Sequence, residues 1–432
     1  MKPRNAELSL VILGLLIAFG TGVLVDLAHG TTLTPDLFKT FSSFAALAIA
    51  GHLAIRKFAP ASDPILYGLA IALSGFGLGM VRRLDPSLAN GQLAWLAIGI
   101  GAFVLTLVLI RDHRVVQQYR YSLMVVGIAL LLLPLSPIGT DLGRTARLWI
   151  HLGPLNFQPA EAAKVVLAAF LAGYLAERRE VMTVASARIG PIQFPAPRHF
   201  GPLLLAWFIS LAVMFYETDL GSSLLFFGLF VIVVYAATSR TAYALAGSAL
   251  AVVGIYVAYH SFAHVQTRVA SWLNPWGNNP ITGFSGAGRQ IAQSYFALGA
   301  GGLTGTGLAR GHPDLIDPGL RSGTLPTDFI FAGIGEELGL LGVTAIILLF
   351  AILIARGMHT SLRSRDEFGT LLALGLTVII GLQAFFIMGG VSRLMPLTGI
   401  TLPFVSYGGS SLLANFALIA LLMRISDGEA VT

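Results

Sequence analysis

The sequence predicts an all-α, polytopic membrane helix bundle, and two observations predict it. The 432 residues are 55% hydrophobic with a mean hydropathy of +0.79, which leaves little polar sequence for a soluble domain. Apolar runs of about 20 residues, the length that crosses about 30 Å of hydrocarbon as a helix, recur from end to end. They fall near 7–27, 36–54, 64–81, 91–110, 121–139, 159–176, 202–216, 219–238, 242–260, 328–357, 369–391 and 407–424, so about twelve transmembrane helices are expected.

The first run is too long, and lacks a small-residue cleavage site, to be a removable signal peptide. Most of the 27 Lys and Arg fall in loops on one side if the chain starts inside, so the positive-inside rule places both termini in the cytoplasm. The net charge of +6 is this topology signal. No basic patch interleaved with aromatics marks a nucleic-acid partner. Cysteine is absent, which excludes disulfides and thiol chemistry.

Several arginines break the trend by falling in two long outer loops, 140–158 and 261–326. An anionic ligand outside would use them, whereas Arg82 and Arg83 are expected to snorkel to lipid headgroups. Segment 261–326 mixes Trp272, Trp276 and Phe284 with QIAQSYFALGAGGLTGTGLARG, a composition of short amphipathic helices and glycine turns at the outer interface. The inner connection 178–200 is polar and carries Pro191, Pro195 and Pro197. No tandem repeat or pair of broken helices points to a solenoid or an alternating-access transporter.

Carboxylates at membrane depth are costly, by about 2.5–3.5 kcal/mol at the centre, and are functional candidates by default. SGTLPTDFIFAGIGEELG, residues 322–339, opens the tenth run with three. Asp328 follows Pro326 and Thr327 at a helix start, where a capping role competes with a chemical one. Glu336 lies about 12 Å deeper along a continuous helix and about 80° around it, with Glu337 next to it. Both are expected to pair with a basic or hydroxyl group of a neighbouring helix. In QPAEAAK, residues 158–164, Glu161 and Lys164 share one helix face and can pair. GRTARLWIHLGP, 143–154, sets Arg144, Arg147 and Trp149 at the surface, and YETDLGSS, 216–223, adds Glu217 and Asp219 at an outer turn. The nine histidines form no metal-ligand spacing, and there is no GxSxG elbow, Walker motif or dinucleotide fingerprint.

Outer carboxylates plus outer arginines suit transfer of a sugar from a lipid pyrophosphate. The attacking hydroxyl needs a base, while the pyrophosphate leaves without an acid and needs cations. A glycosidase would need two carboxyls instead.

ARLWIHLGPLNFQPAEAAK (146–164), DLGSS (219–223), HVQTRVASWLNPW (264–276), QSYFALGAGGLTGTGL (293–308), LPTDFIFAGIGEELG (325–339) and LMPLTGITLPFVSYGGSSLL (394–413) occur in order. With these motifs the chain resembles the FtsW/RodA/SpoVE family, and is most similar to its RodA branch of high-GC Gram-positive bacteria. The resemblance implies a ten-helix core at 63–427 that polymerises lipid II into peptidoglycan, with 1–62 as an added N-terminal pair. It implies Asp328 as catalytic base and Trp149 as an important outer tryptophan. Arg147, Lys164 and Arg268 would meet the pyrophosphate. Glu161, Gln293, Ser406 and Ser410 would bind substrate, with Ser406 to Ser411 lining the cavity. Gln158, Pro159, Asp219, Glu336 and Glu337 would support them.

The chain departs from the family pattern at Ala160, where QPSE is common, at Ile387, where Asn is, and at Arg393, where Gly is. The resemblance also implies a class B penicillin-binding protein as partner and, as cofactor, Mg²⁺ or Mn²⁺ at the leaving group, for which the sequence offers no dedicated site. The rival readings are a lipid II flippase, an FtsW-type division polymerase and a scaffold that recruits the transpeptidase.

Overall fold

All twelve apolar runs fall on helices. The computed structural model describes residues 3–28, 30, 33–140, 147–153, 155–183, 187–189, 192–194, 201–216, 219–276, 287–318 and 323–430. The spanning helices are α1 (Pro3–Ala28), α2 (Pro35–Phe58), α3 (Leu66–Leu84), α4 (Pro86–Leu109), α6 (Arg120–Leu132), α7 (Pro159–Thr183), α8 (Gly201–Tyr216), α9 (Leu220–Thr238), α10 (Thr241–Ser261), α13 (Ile330–Arg363), α14 (Glu367–Val391) and α15 (Gly409–Ala430). Short helices α5 (Arg114–Gln118), α11 (Ala263–Leu273) and α12 (Ala287–Gly301) lie between them. Among the described residues, nine helices are by themselves long and apolar enough to cross a membrane.

Local chemistry sets the helix starts. Thr34 and Asp85 cap α2 and α4 by accepting the amides of Leu37 and Ser87, with Pro35 and Pro86 at the first helical position. Asp219 and Asp366 cap α9 and α14 through the amides of Ser222 and Gly369. α7, α14 and α15 form the buried centre, with α4 and α7 flanking α15, while α10 stands at the periphery.

The two N-terminal helices pack against the rest of the bundle, α1 along α3 and α2 along α4. At one end Glu7 accepts from Arg4 and lies 2.9 Å from His52 Nδ1. At the other, Asp26 pairs with Arg82 at 2.7 Å. Arg82 therefore does not snorkel. Arg83, expected to do the same, instead lies 3.0 Å from the Glu337 carboxylate.

Three departures from the sequence expectation matter. Segment 139–157 contains β1 (Gly139–Thr140), β2 (Trp149–Leu152) and β3 (Leu155–Phe157) in one antiparallel sheet, and connection 178–200 carries the antiparallel pair β4 (Ala187–Ile189) and β5 (Ile192–Phe194). Pro191, Pro195 and Pro197 lie outside the described residues, as do Arg144, Glu217 and Phe284.

The tenth run is not one continuous helix. Gly339 sits at φ 64°, ψ −163° and breaks α13. The loop after α12 fills the break: Thr306 and Gly307 amides donate to the carbonyls of Glu336 and Glu337, and those of Leu340 and Leu341 to Gly302 and Leu303. A Cβ at Gly339 would approach the Gly305 nitrogen to 2.4 Å, so close backbone contact as well as positive φ demands glycine. Residues 340–363 still reach about 36 Å, enough to span.

Candidate active site

The site forms at the end of the bundle opposite the chain termini, where α9, α11 and α13 meet the connection between α14 and α15. α11 presents Arg268, whose Nη1 donates to the carbonyls of Thr398 at 2.7 Å and Leu397 at 3.1 Å. The next residue, Gly399, has φ 74°, and a Cβ there would lie 3.3 Å from Arg268 Nη2 and 3.8 Å from Asp328 Oδ2. Guanidinium and carboxylate thus converge on one glycine turn. Gly221 of α9 lets that turn approach, since a Cβ there would come within 2.8 Å of the Thr398 carbonyl.

Asp328 is half-buried and precedes the first turn of α13. Its own amide donates to the Thr324 carbonyl at 2.8 Å, and the turn is tied down on both sides. Ser406 Oγ donates to the Thr327 carbonyl at 2.5 Å, and the Tyr407 amide to Pro326 at 2.9 Å. On the other side Gln290 Nε2 donates to Thr324 Oγ1, while Asp317 accepts the Thr324 amide.

The charges around Arg268 alternate. Burial pulls its pKa below the usual arginine range, and the carboxylates of Asp328 and then Asp219 oppose that pull. Burial pushes the Asp219 carboxyl above its usual range and Glu161 adds to the rise, against hydrogen bonds from Ser222 and the charge of Arg268. A carboxylate and a cation that both approach one glycine at a half-open rim can accept a proton and face an anion together.

Behind this rim lies a closed polar core. Lys164 Nζ donates to Glu161 Oε2 at 2.5 Å and to Gln383 Oε1 at 2.8 Å. Lys164 and Glu161 are buried, 2% and 8% exposed. Ser406 and Ser410 are also buried, the first engaged with Thr327 and Leu402, the second accepting the Gln158 amide at 2.8 Å just ahead of Pro159, so both fasten the loop.

Glu336 and Glu337 lie within α13, whereas Asp328 lies in the turn before it. They accept the amides of His312 (2.8 Å) and Ala309 (2.9 Å), and with Arg83 they fix the loop that fills the α13 break. Trp149 is half-exposed on β2, Arg147 is exposed just before it, and Gln293 is half-buried on α12. Gln383, the third member of the polar core, was not singled out from sequence, although a lone amide in GLQAFF is the kind of intramembrane polar residue that signals a partner. The part played by the Leu397 and Thr398 carbonyls has no side-chain signature.

Residues 65–430 match the FtsW/RodA/SpoVE family model, described as "Cell cycle protein". The chain belongs to that family. It is 42% identical to "Peptidoglycan glycosyltransferase RodA" of Mycobacterium tuberculosis (strain ATCC 25618 / H37Rv), over 98% of this chain and 91% of the relative. It is 32% identical to "Probable peptidoglycan glycosyltransferase FtsW" of Geobacter metallireducens, over 84% of this chain and 94% of the relative.

Among solved structures, a chain from "Structural coordination of polymerization and crosslinking by a peptidoglycan synthase complex" aligns with TM-score 0.68 at 25% identity, covering 85% of this chain and 98% of that one. The rod shape determining protein RodA of Thermus thermophilus aligns with TM-score 0.59 at 24% identity, over 86% and 98%, and shares the fold. As a member of this family the chain is a multi-pass membrane protein. Arg393 adopts φ 58° and donates to the carbonyls of Trp272 and Leu273, both at 2.7 Å, while Trp272 Nε1 donates back to Arg393 O. This clamp holds α11, and with it Arg268, against the turn after α14.

Proposed function

We propose that the chain is a peptidoglycan glycosyltransferase of the RodA kind that polymerises lipid II into glycan strands for cell elongation and shape. The observation that carries the reading is the convergence of Asp328 and Arg268 on Gly399. Asp328 takes the proton from the 4-hydroxyl of the acceptor's N-acetylglucosamine as that oxygen attacks the donor's anomeric carbon. The bond to undecaprenyl pyrophosphate breaks in the same in-line step, inverting that carbon. Arg268 and the exposed Arg147 face the departing diphosphate, and Trp149 borders the path.

Among the described residues no group of three or more His, Cys, Asp or Glu is placed to hold a metal ion. Those residues build no dedicated all-protein cage for Mg²⁺ or Mn²⁺. The wider reading places the chain in the plasma membrane with both termini cytoplasmic, the site outside, and a class B penicillin-binding protein as the cross-linking partner. Burial and mutual satisfaction of Glu161, Lys164 and Gln383 favour a structural role over a translocation path.

Purified protein in proteoliposomes, given labelled lipid II, is expected to yield glycan polymer. Translocation of lipid II without polymer would overturn the reading in favour of a flippase.

A further inference from the structure

A second polar cavity lies at the opposite end of the bundle from Asp328. Its volume is about 400 Å³, within the range of about 300–1,000 Å³ typical of small-ligand sites. Arg356, His359 and Arg363 from the last turns of α13, with Arg365 just beyond, form one wall. Ser62 and Asp63 of the link between α2 and α3 form the facing wall, closed by Ser426 of α15.

The frame of this cavity is fixed by hydrogen bonds. Asp63 accepts from Arg356 Nε at 2.8 Å and from the Ile65 amide at 2.8 Å, while its own amide donates to Ser426 Oγ at 2.9 Å. The Ala61 amide donates to Asp427 Oδ1 at 2.8 Å, and the Ser62 carbonyl accepts from Arg4 of α1. A wall pinned at every residue keeps the cavity open without a ligand, which lowers the ordering cost of filling it.

Charge decides what would fill it. Three arginines face a single lining carboxylate, and Asp63 is already engaged by Arg356. Arg363 and Arg365 both line the cavity and are exposed. Retention of positive charge on one side accounts for arginines at this end, but not for their arrangement around a preformed cavity. Guanidinium forks match phosphate oxygens, and basic pockets between spanning helices suit phosphate-bearing headgroups.

We propose that this cavity binds a phosphate group offered at the membrane surface, as the headgroup of an anionic lipid. Because Ser62, Asp63 and the Arg4 that holds them belong to the N-terminal pair or its link, the ligand would bridge that pair to the core.

The test uses the full-length protein in phosphatidylcholine nanodiscs doped with phosphatidylglycerol, and measures lipid retention by native mass spectrometry. Retention is expected to fall at least tenfold in the double variant Arg363→Gln/Arg365→Gln and to stay within twofold of wild type in Arg111→Gln, an exposed arginine at the same end but outside the cavity. Competition by soluble glycerol phosphate would assign the phosphate to a free metabolite, and its failure to compete would assign it to lipid. Equal losses in the two variants would reduce the effect to diffuse surface charge and overturn the proposal. So would retention of neither phosphatidylglycerol nor glycerol phosphate.

Discussion

Arg268 has two duties, because one side of its guanidinium is fixed to the carbonyls of Leu397 and Thr398 while the other approaches Asp328 and Gly399. Removing a fixed cation that faces developing negative charge typically costs about 10²–10³ in rate, so Arg268→Ala is expected to lower lipid II polymerisation about 100-fold. Arg268→Lys should restore only part of it, since an ammonium keeps the charge but loses the planar fork. Comparable rates for wild type and Arg268→Ala would remove the guanidinium from the chemistry. Lys164 behaves differently because it is interior. Lys164→Met leaves Glu161 buried and unpaired, at a cost of about 3–5 kcal/mol, whereas Glu161→Gln/Lys164→Met relieves that charge and should be milder. Thermal unfolding in detergent checks the order: single variant below double variant below wild type.

At the scale of elements, α11 is held by residues far from it in sequence. Arg393 pays the cost of a left-handed conformation and returns two hydrogen bonds to the end of α11. Arg393→Gly should therefore accelerate amide exchange across residues 263–273 by at least tenfold while leaving α14 protected. Unchanged exchange in α11 would show that the clamp is idle.

The start of α14 offers a pH test at the other end. Burial alone would raise the Asp366 carboxyl, but the Gly369 amide, the His113 ring at 2.9 Å and Arg114 together bring it below the ordinary aspartate range. A depressed folded-state value means that this stabilisation is present above the unfolded aspartate pKa, about 3.9, and is lost as pH falls through the lower folded value. The melting temperature of wild type should fall on acidification through that window, and Asp366→Asn should flatten this part of the profile. An unchanged slope in the variant would contradict the linkage.

At the scale of the whole molecule, the bundle was legible because hydropathy alone marks helices that must satisfy their backbone in lipid. Sequence could not reveal the break at Gly339, since LGLLG leads straight into an apolar run and only the 301–307 loop, folded against it, supplies the missing partners. Strands of two to four residues such as β1 and β2 carry too few side chains for a period to emerge. Asp328 and Arg268 stood out as charges in motifs, but the groups that engage Glu336 and Glu337 are backbone amides of His312 and Ala309, which leave no side-chain signature. Arg83, which pairs with Glu337, lies more than two hundred positions away. Lys164 and Glu161 looked equally chemical and structural from their spacing, and the pair they form is buried.

The account rests on Asp328 accepting a proton from the incoming sugar hydroxyl, and one measurement addresses it directly. Purified wild type and Asp328→Asn, matched for melting temperature, are given labelled lipid II and the polymer is quantified. General-base catalysis contributes about 10²–10⁴, so the variant is expected to lose at least 100-fold in rate. Polymer formed at the wild-type rate by Asp328→Asn would contradict it.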